Sequence, residues 1–220
     1  MPDPVAEQRL TLAQQAAAAR VAYCLERPGT VALLCGPAGV GKTLVLETIV
    51  RSRQPSTISP ARCGIAAVER MLAADPPAAV PEMLLIDDAH LARENALGQL
   101  IDRYFQRQPA GAVALAGEGR LLSLVARDSR LEQAVSLRAT LPPFTLAESR
   151  MLVAGRLVAA GSIRERDEVA RTIHEIAGGI PALVTRLAAL AGLLAEGSPG
   201  RPLVPDDIEA IHRRLCLNAA

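Results

Sequence analysis

GPAGVGKT occupies residues 36–43, and Lys42 within it is the only lysine of a 220-residue chain whose Lys and Arg together number 24. The stretch matches G-x-x-x-x-G-K-[ST] through Gly36, Gly41, Lys42 and Thr43. Each position has a chemical reason. Glycines let the backbone curl until successive N–H groups face phosphate oxygens. A helix starting near Lys42 adds the positive end of its dipole. Lysine is a compact point charge that folds back into such a nest, whereas the broad planar fork of arginine does not. That explains why this position keeps lysine in an arginine-rich chain. Gly36, Pro37, Ala38, Gly39, Val40, Gly41, Lys42, Thr43 and Leu44 are therefore the candidate phosphate-binding residues, with the Thr43 hydroxyl a candidate ligand for Mg²⁺.

The flanking sequence supplies the context such a loop needs. TVALLC (30–35) is a short apolar run expected to be a buried parallel strand, and TLVLETIVR (43–51) has helical spacing. A helix is expected over 5–27, stopped by Pro28-Gly29, and a short strand over TISP (57–60). GIAAVERMLAAD (64–75) reads as a helix ended by Pro76-Pro77. MLLID (83–87) and GAVALAG (111–117) read as buried strands, with a helix between them at 94–106 whose positions 97, 100, 101 and 104 share one face. VSLRATL (135–141) alternates as a strand does, and Pro142-Pro143 marks a boundary. Beyond it only helices are expected, at 146–160, 165–177, 181–195 and 205–217. Alternating strands and helices followed by helices alone predict an α/β P-loop NTPase core with a parallel sheet over 1–143 and a small α-helical lid over 144–220.

MLLIDDAH (83–90) carries the second chemical signal. Four apolar residues run into Asp87 and Asp88, and Asp87 lies 44 residues after Thr43. In a phosphate-loop protein the first acid at such a strand end holds the Mg²⁺ shell, and the second polarises the attacking water. Asp88 is one methylene shorter than the more usual glutamate, which disfavours fast hydrolysis and leaves binding untouched.

Composition narrows the classes. A formal net charge of +1 speaks against strong non-specific binding to nucleic acid, and two Tyr, two Phe and no Trp leave few stacking platforms for single strands. Cys24, Cys35, Cys63 and Cys216 show no C-x-x-C spacing and are expected to be reduced thiols of a cytoplasmic protein, with Cys24 and Cys35 in the core. The N-terminus has no apolar signal-peptide region, and ALVTRLAALAGLLA (182–195) is too short to span a bilayer, so no membrane insertion is expected. His90, His174 and His212 are scattered; a plain supporting role beside the site is the favoured reading of His90, and capping or pairing with Asp87 or Asp88 is the alternative.

GPAGVGKT, LLIDDAH, VALAGEGRL, LPPFTLAES and IHEIAGGIPALVTRLAALA occur in the order seen in AAA+ ATPases of the ExeA/GspA type, and the resemblance runs from about Gln8 onward. It implies Mg-ATP as ligand and a nucleotide site between core and lid. It also implies a homo-oligomer in which a neighbour completes that site. Glu118 stands where the family has a glutamine that senses the γ-phosphate, and Ala182 where it has the lid arginine, with Arg186 the nearest replacement. An arginine acting in trans is expected among Arg127, Arg130 and Arg138, of which Arg138 fits best. Asp88, Glu118 and Ala182 are departures on the hydrolysis side, so the resemblance implies a slow or partner-stimulated ATPase working as a switch. Glu118 is expected to share the base role with Asp88. Relatives of this type serve assembly at the cell envelope, and similar ATPases serve transposition. They often carry a membrane, peptidoglycan-binding or DNA-binding part, so a protein partner is expected to supply the task here. Two other classes fit the same motifs: a signalling ATPase of the MalT and LuxR-like group, and a non-hydrolysing nucleotide-binding scaffold.

Overall fold

The computed structural model describes residues 10–52, 60–74, 80–157, 162–198 and 200–217. They divide into two compact units with a boundary between Pro142 and Pro143, except that Ala38–Val40 belong to the second.

The first unit is built on strands β1 (Val31–Cys35), β2 (Pro60–Gly64), β3 (Met83–Asp87), β4 (Ala112–Gly117) and β5 (Val135–Thr140). They form one sheet in the order β2-β3-β4-β1-β5, every neighbouring pair parallel. β1, β3 and β4 are buried at every position, because runs of Val, Ala, Leu and Ile suit a sheet covered on both faces. The edge strand β5 instead alternates in burial over most of its length. Residues 57–59 of the strand expected at 57–60 lie outside the described set; the described strand is β2, whose Pro60–Gly64 pair in register with Met83–Asp87. Proline is tolerated there because it opens an edge strand.

The helices of this unit are α1 (Leu12–Cys24), α2 (Lys42–Ser52), α3 (Ile65–Ala73), α4 (Ala96–Arg107), α5 (Gly119–Ala126) and α6 (Ser129–Ala134). Residues 5–9 of the expected helix lie outside the described set; among the described residues α1 begins at Leu12, where Thr11 and Gln14 form a capping box. On α4 the predicted face is the buried one, with Leu97, Leu100, Ile101 and Tyr104 inside. α5 and α6 were not anticipated. They are 8 and 6 residues long, too short to show a period, and α6 depends on an Asp128 carboxylate accepting the N–H groups of Arg130 and Leu131.

The second unit is helical among its described residues: α7 (Leu146–Ala154), α8 (Ile163–Ala177), α9 (Pro181–Gly197) and α10 (Pro205–Leu217). Val153, Val169, Ile173, Val184, Leu187 and Ile208 form its core. α7 stops at Ala154, short of the expected 160, with Gly155 as C-cap. Residues 158–161 lie outside the described set. Capping boxes at Thr145/Glu148 and Ser162/Glu165 open α7 and α8. GGIP (178–181) is the hinge between α8 and α9: Gly178 caps α8 at φ 55°, Gly179 turns at φ 69°, and Pro181 opens α9.

Tyr104 shows how buried polarity is satisfied in the first unit. Its hydroxyl lies 2.8 Å from the Pro81 carbonyl and 2.9 Å from that of Glu82, in the turn that starts β3. Burial pushes its phenol well above the ordinary tyrosine range, so it stays a donor at neutral pH. Tyr104→Phe leaves those carbonyls without this donor and is expected to cost about 1–2 kcal/mol in a urea unfolding measurement, with the cooperativity of unfolding unchanged.

Candidate functional site

β1 ends at Cys35, the chain turns through Gly36–Gly41, and α2 starts at Lys42. Gly39 and Gly41 hold φ values of 77° and 98°, in the left-handed region that favours glycine. A Cβ on Gly41 would also lie 2.5 Å from Nε2 of Gln14, a buried residue of α1. The amides opening α2 have no acceptor within the helix, so they face the loop with the positive end of the helix dipole.

Lys42 is 7% exposed. Its ammonium donates to the carbonyl oxygens of Gly36 and Pro37, both at 2.9 Å. Among the described residues no carboxylate lies within ion-pair distance of it. A buried charge held by neutral dipoles alone is under-compensated, and an anion is what would balance it. Burial pushes the neighbouring Cys35 thiol up, while Lys42 and then Arg138 pull it down.

Thr43 and Asp87 meet across the sheet: the Thr43 hydroxyl donates to Oδ2 of Asp87 at 2.8 Å. Oδ1 of Asp87 accepts the Asp88 amide at 3.1 Å. Sequence reasoning missed a third partner, Arg62 on β2, whose guanidinium donates to the same Oδ2 at 3.1 Å and pairs with Glu47 of α2 at 3.3 Å. Arg62 pairs in register with Leu85, which puts its side chain on the face of the sheet shared by Asp87. The register of an edge strand that starts after residues 53–59 was the signal needed, and it is not a local sequence pattern.

Asp88 and Glu118 are brought to one histidine. Nδ1 of His90 lies 4.0 Å from Oδ1 of Asp88, and its Nε2 lies 3.6 Å from Oε1 of Glu118. His90 therefore faces Asp88, one of the two partners of the alternative reading, and also Glu118. The backbone of this turn, a short 3-10 helix at Ala89–Leu91, is held by Arg120, which donates to the carbonyls of His90 and Ala92. Asp88 itself is left-handed, at φ 51° and ψ 34°. Arg127, Arg130 and Arg138 are exposed and each faces a carboxylate of this chain: Glu94, Asp102 at 3.9 Å and Glu132 at 3.3 Å, respectively. In the second unit Arg186 is exposed on α9, and the amide of Ala182 donates to the carbonyl of Gly39, a residue of that same unit, at 3.1 Å.

No family model matches the chain, and no curated protein does. Solved structures do. The chain is similar to the ORC2 protein of Aeropyrum pernix, described in ADPNP-ADP complexes, at 13% identity and TM-score 0.62, covering 91% of this chain and 67% of that one. A RuvB point mutant of Thermotoga maritima aligns at 19% identity and TM-score 0.60, over 90% of this chain and 65% of that one. NtrX of Brucella abortus aligns at 15% identity and TM-score 0.63, over 91% and 53%. The chain thus spans about two thirds of the first two and about half of the third. These likenesses show the fold alone: an α/β fold of the P-loop nucleoside triphosphatase kind, built on a five-stranded parallel sheet. No helix among the described residues is long and apolar enough to cross a membrane.

The left-handed backbone at Asp88 gives a direct test. Such a conformation costs an L-residue about 1 kcal/mol, least for Asp and Asn and most for β-branched residues. Asp88→Gly is expected to keep or slightly raise the thermal midpoint, and Asp88→Val to lower stability by about 1–2 kcal/mol, both read by thermal unfolding.

Proposed function

We propose that the chain is a Mg-ATP-binding AAA+ ATPase with slow or partner-stimulated hydrolysis, in which residues 1–143 are the nucleotide core and 144–220 the lid. The observation that carries this is Lys42, a buried ammonium met, among the described residues, only by carbonyl oxygens at the mouth of a helix. The β- and γ-phosphates of a nucleotide supply the missing negative charge. Gly36 to Leu44 would hold them, through backbone amides and the lysine.

The oxygen donors fit a magnesium ion. Thr43 Oγ1 and Asp87 Oδ2, 2.8 Å apart, are hard ligands of the kind Mg²⁺ takes one or two at a time, phosphate and water completing its shell. Bound there, the ion would neutralise charge on the phosphate oxygens. Asp88, with a largely exposed side chain, is the candidate that orients water, and Glu118 shares that task through its common neighbour His90. Both are departures from the usual residues, which supports slow turnover. Arg138 is the candidate to act on a neighbouring protomer's nucleotide in a homo-oligomer, after leaving Glu132. Arg186 is the candidate lid contact. The ExeA/GspA-like coupling of nucleotide state to assembly, through a protein partner of a secretion, envelope or transposition machinery, belongs to the same proposal.

Phosphate release with Mg-ATP, measured over a range of protein concentrations, tests it. Turnover per chain is expected to rise with concentration, and Lys42→Ala to abolish both turnover and nucleotide binding. Binding without turnover at any concentration would instead make the protein a nucleotide-gated scaffold. Glu118→Gln is expected to slow turnover at least about tenfold while leaving the affinity for ADP unchanged; unchanged turnover removes Glu118 from the base role.

A further inference from the structure

Asp87 is crowded on the side where a cation would be needed. Its Oδ2 accepts both the Thr43 hydroxyl at 2.8 Å and the Arg62 guanidinium at 3.1 Å, while Oδ1 is engaged by the Asp88 amide. The carboxylate is largely buried and Arg62 half-exposed, with side-chain exposures of 11% and 36%. Arg62 therefore places a permanent positive charge on the oxygen that a magnesium ion would have to share. Two cations on one carboxylate oxygen repel, and at the effective dielectric of a protein edge the repulsion is large compared with thermal energy.

Glu47 makes this arrangement reversible. It lies one turn after Thr43 on α2, and its Oε1 is 3.3 Å from Nη2 of Arg62. Arg62 thus bridges two carboxylates, Asp87 on β3 and Glu47 on α2, through different nitrogens. When a metal draws on Asp87, the guanidinium keeps a counter-charge at Glu47 without leaving the site. Arg51 already donates to the other oxygen of Glu47 at 3.2 Å, which holds that carboxylate in place. A plain structural ion pair across a sheet edge needs neither the second acid nor the shared oxygen.

We propose that Arg62 is a resident counter-cation of Asp87, a positioning residue that sets how much Mg²⁺ the nucleotide site requires, with Glu47 as its fallback partner. The proposal rests on the nucleotide site described above. Because Arg62 competes with the metal, its removal lowers the Mg²⁺ requirement. Because Glu47 draws Arg62 away from Asp87, its neutralisation raises that requirement. The two variants move in opposite directions, which a loss of local order does not produce.

The test is equilibrium binding of a fluorescent ADP to the full chain while Mg²⁺ is titrated, with no hydrolysis in the readout. Arg62→Gln is expected to reach half-saturation at about tenfold less Mg²⁺ than wild type, and Glu47→Gln to need several-fold more. Thermal unfolding without metal checks that both variants are folded. An Arg62→Gln protein that binds with the wild-type Mg²⁺ dependence, or needs more Mg²⁺, overturns the proposal while leaving the nucleotide site standing. Fluorescent ADP that fails to bind wild type at any Mg²⁺ concentration overturns the nucleotide site and this proposal together.

Discussion

Thr43 and Asp87 touch although 44 residues of chain separate them, and most of what is chemically interesting here depends on that contact. It exists because β4 lies between β1 and β3 in a parallel sheet. α2 leaves the end of β1 and packs back across β2, β3 and β4, so its first turn arrives beside the end of β3. A parallel sheet puts the carboxyl ends of all its strands, and the loops that leave them, on one edge. The Gly36–Gly41 loop, Asp87, Asp88 and Glu118 share that edge for the same reason. An antiparallel arrangement of the same strands would scatter them.

Charge at this edge is arranged differently at its two buried groups. Lys42 is a buried cation met by carbonyl oxygens. Asp87 is a largely buried anion met by a hydroxyl, an amide and a guanidinium. The two are not paired with each other, as the nearest-neighbour solution would have it. Burying opposite charges separately costs more than burying them together, and sequences keep such an arrangement where something else supplies the complement. A phosphate supplies the complement that Lys42 lacks, whereas Asp87 already holds Arg62, and the unmet charge of Lys42 is the physical core of the functional proposal.

The helical unit illustrates a motif explained by geometry alone. GGIP marks a family resemblance in the sequence, yet each residue has a local structural duty. Gly178 takes the left-handed C-cap of α8, Gly179 lets the backbone of Phe144 approach, and Pro181 starts α9. The Phe144 amide donates to the Gly179 carbonyl at 2.7 Å, tying the entry of this unit to its central hinge. The motif alone therefore carries less functional weight than the loop and the acidic strand end.

The sequence by itself determined the elements whose signals are local. Continuous apolar runs marked β1, β3 and β4, because strands buried on both faces are built almost wholly of apolar residues. The helical period of α4 and the glycines and lysine of the loop were equally legible, since backbone conformation and phosphate chemistry constrain each residue singly. Short helices such as α5 and α6 were not, because one or two turns hold no period and depend on tertiary support. Nor could the sequence place Arg62: its meaning comes from the register between β2 and β3 and from the turn of α2 that carries Glu47. The same holds for His90, which meets Asp88 as a near neighbour in sequence but Glu118 only through the adjacency of β3 and β4. Local chemistry is written residue by residue, whereas pairing between side chains on different strands is set by how the sheet is ordered and in what register.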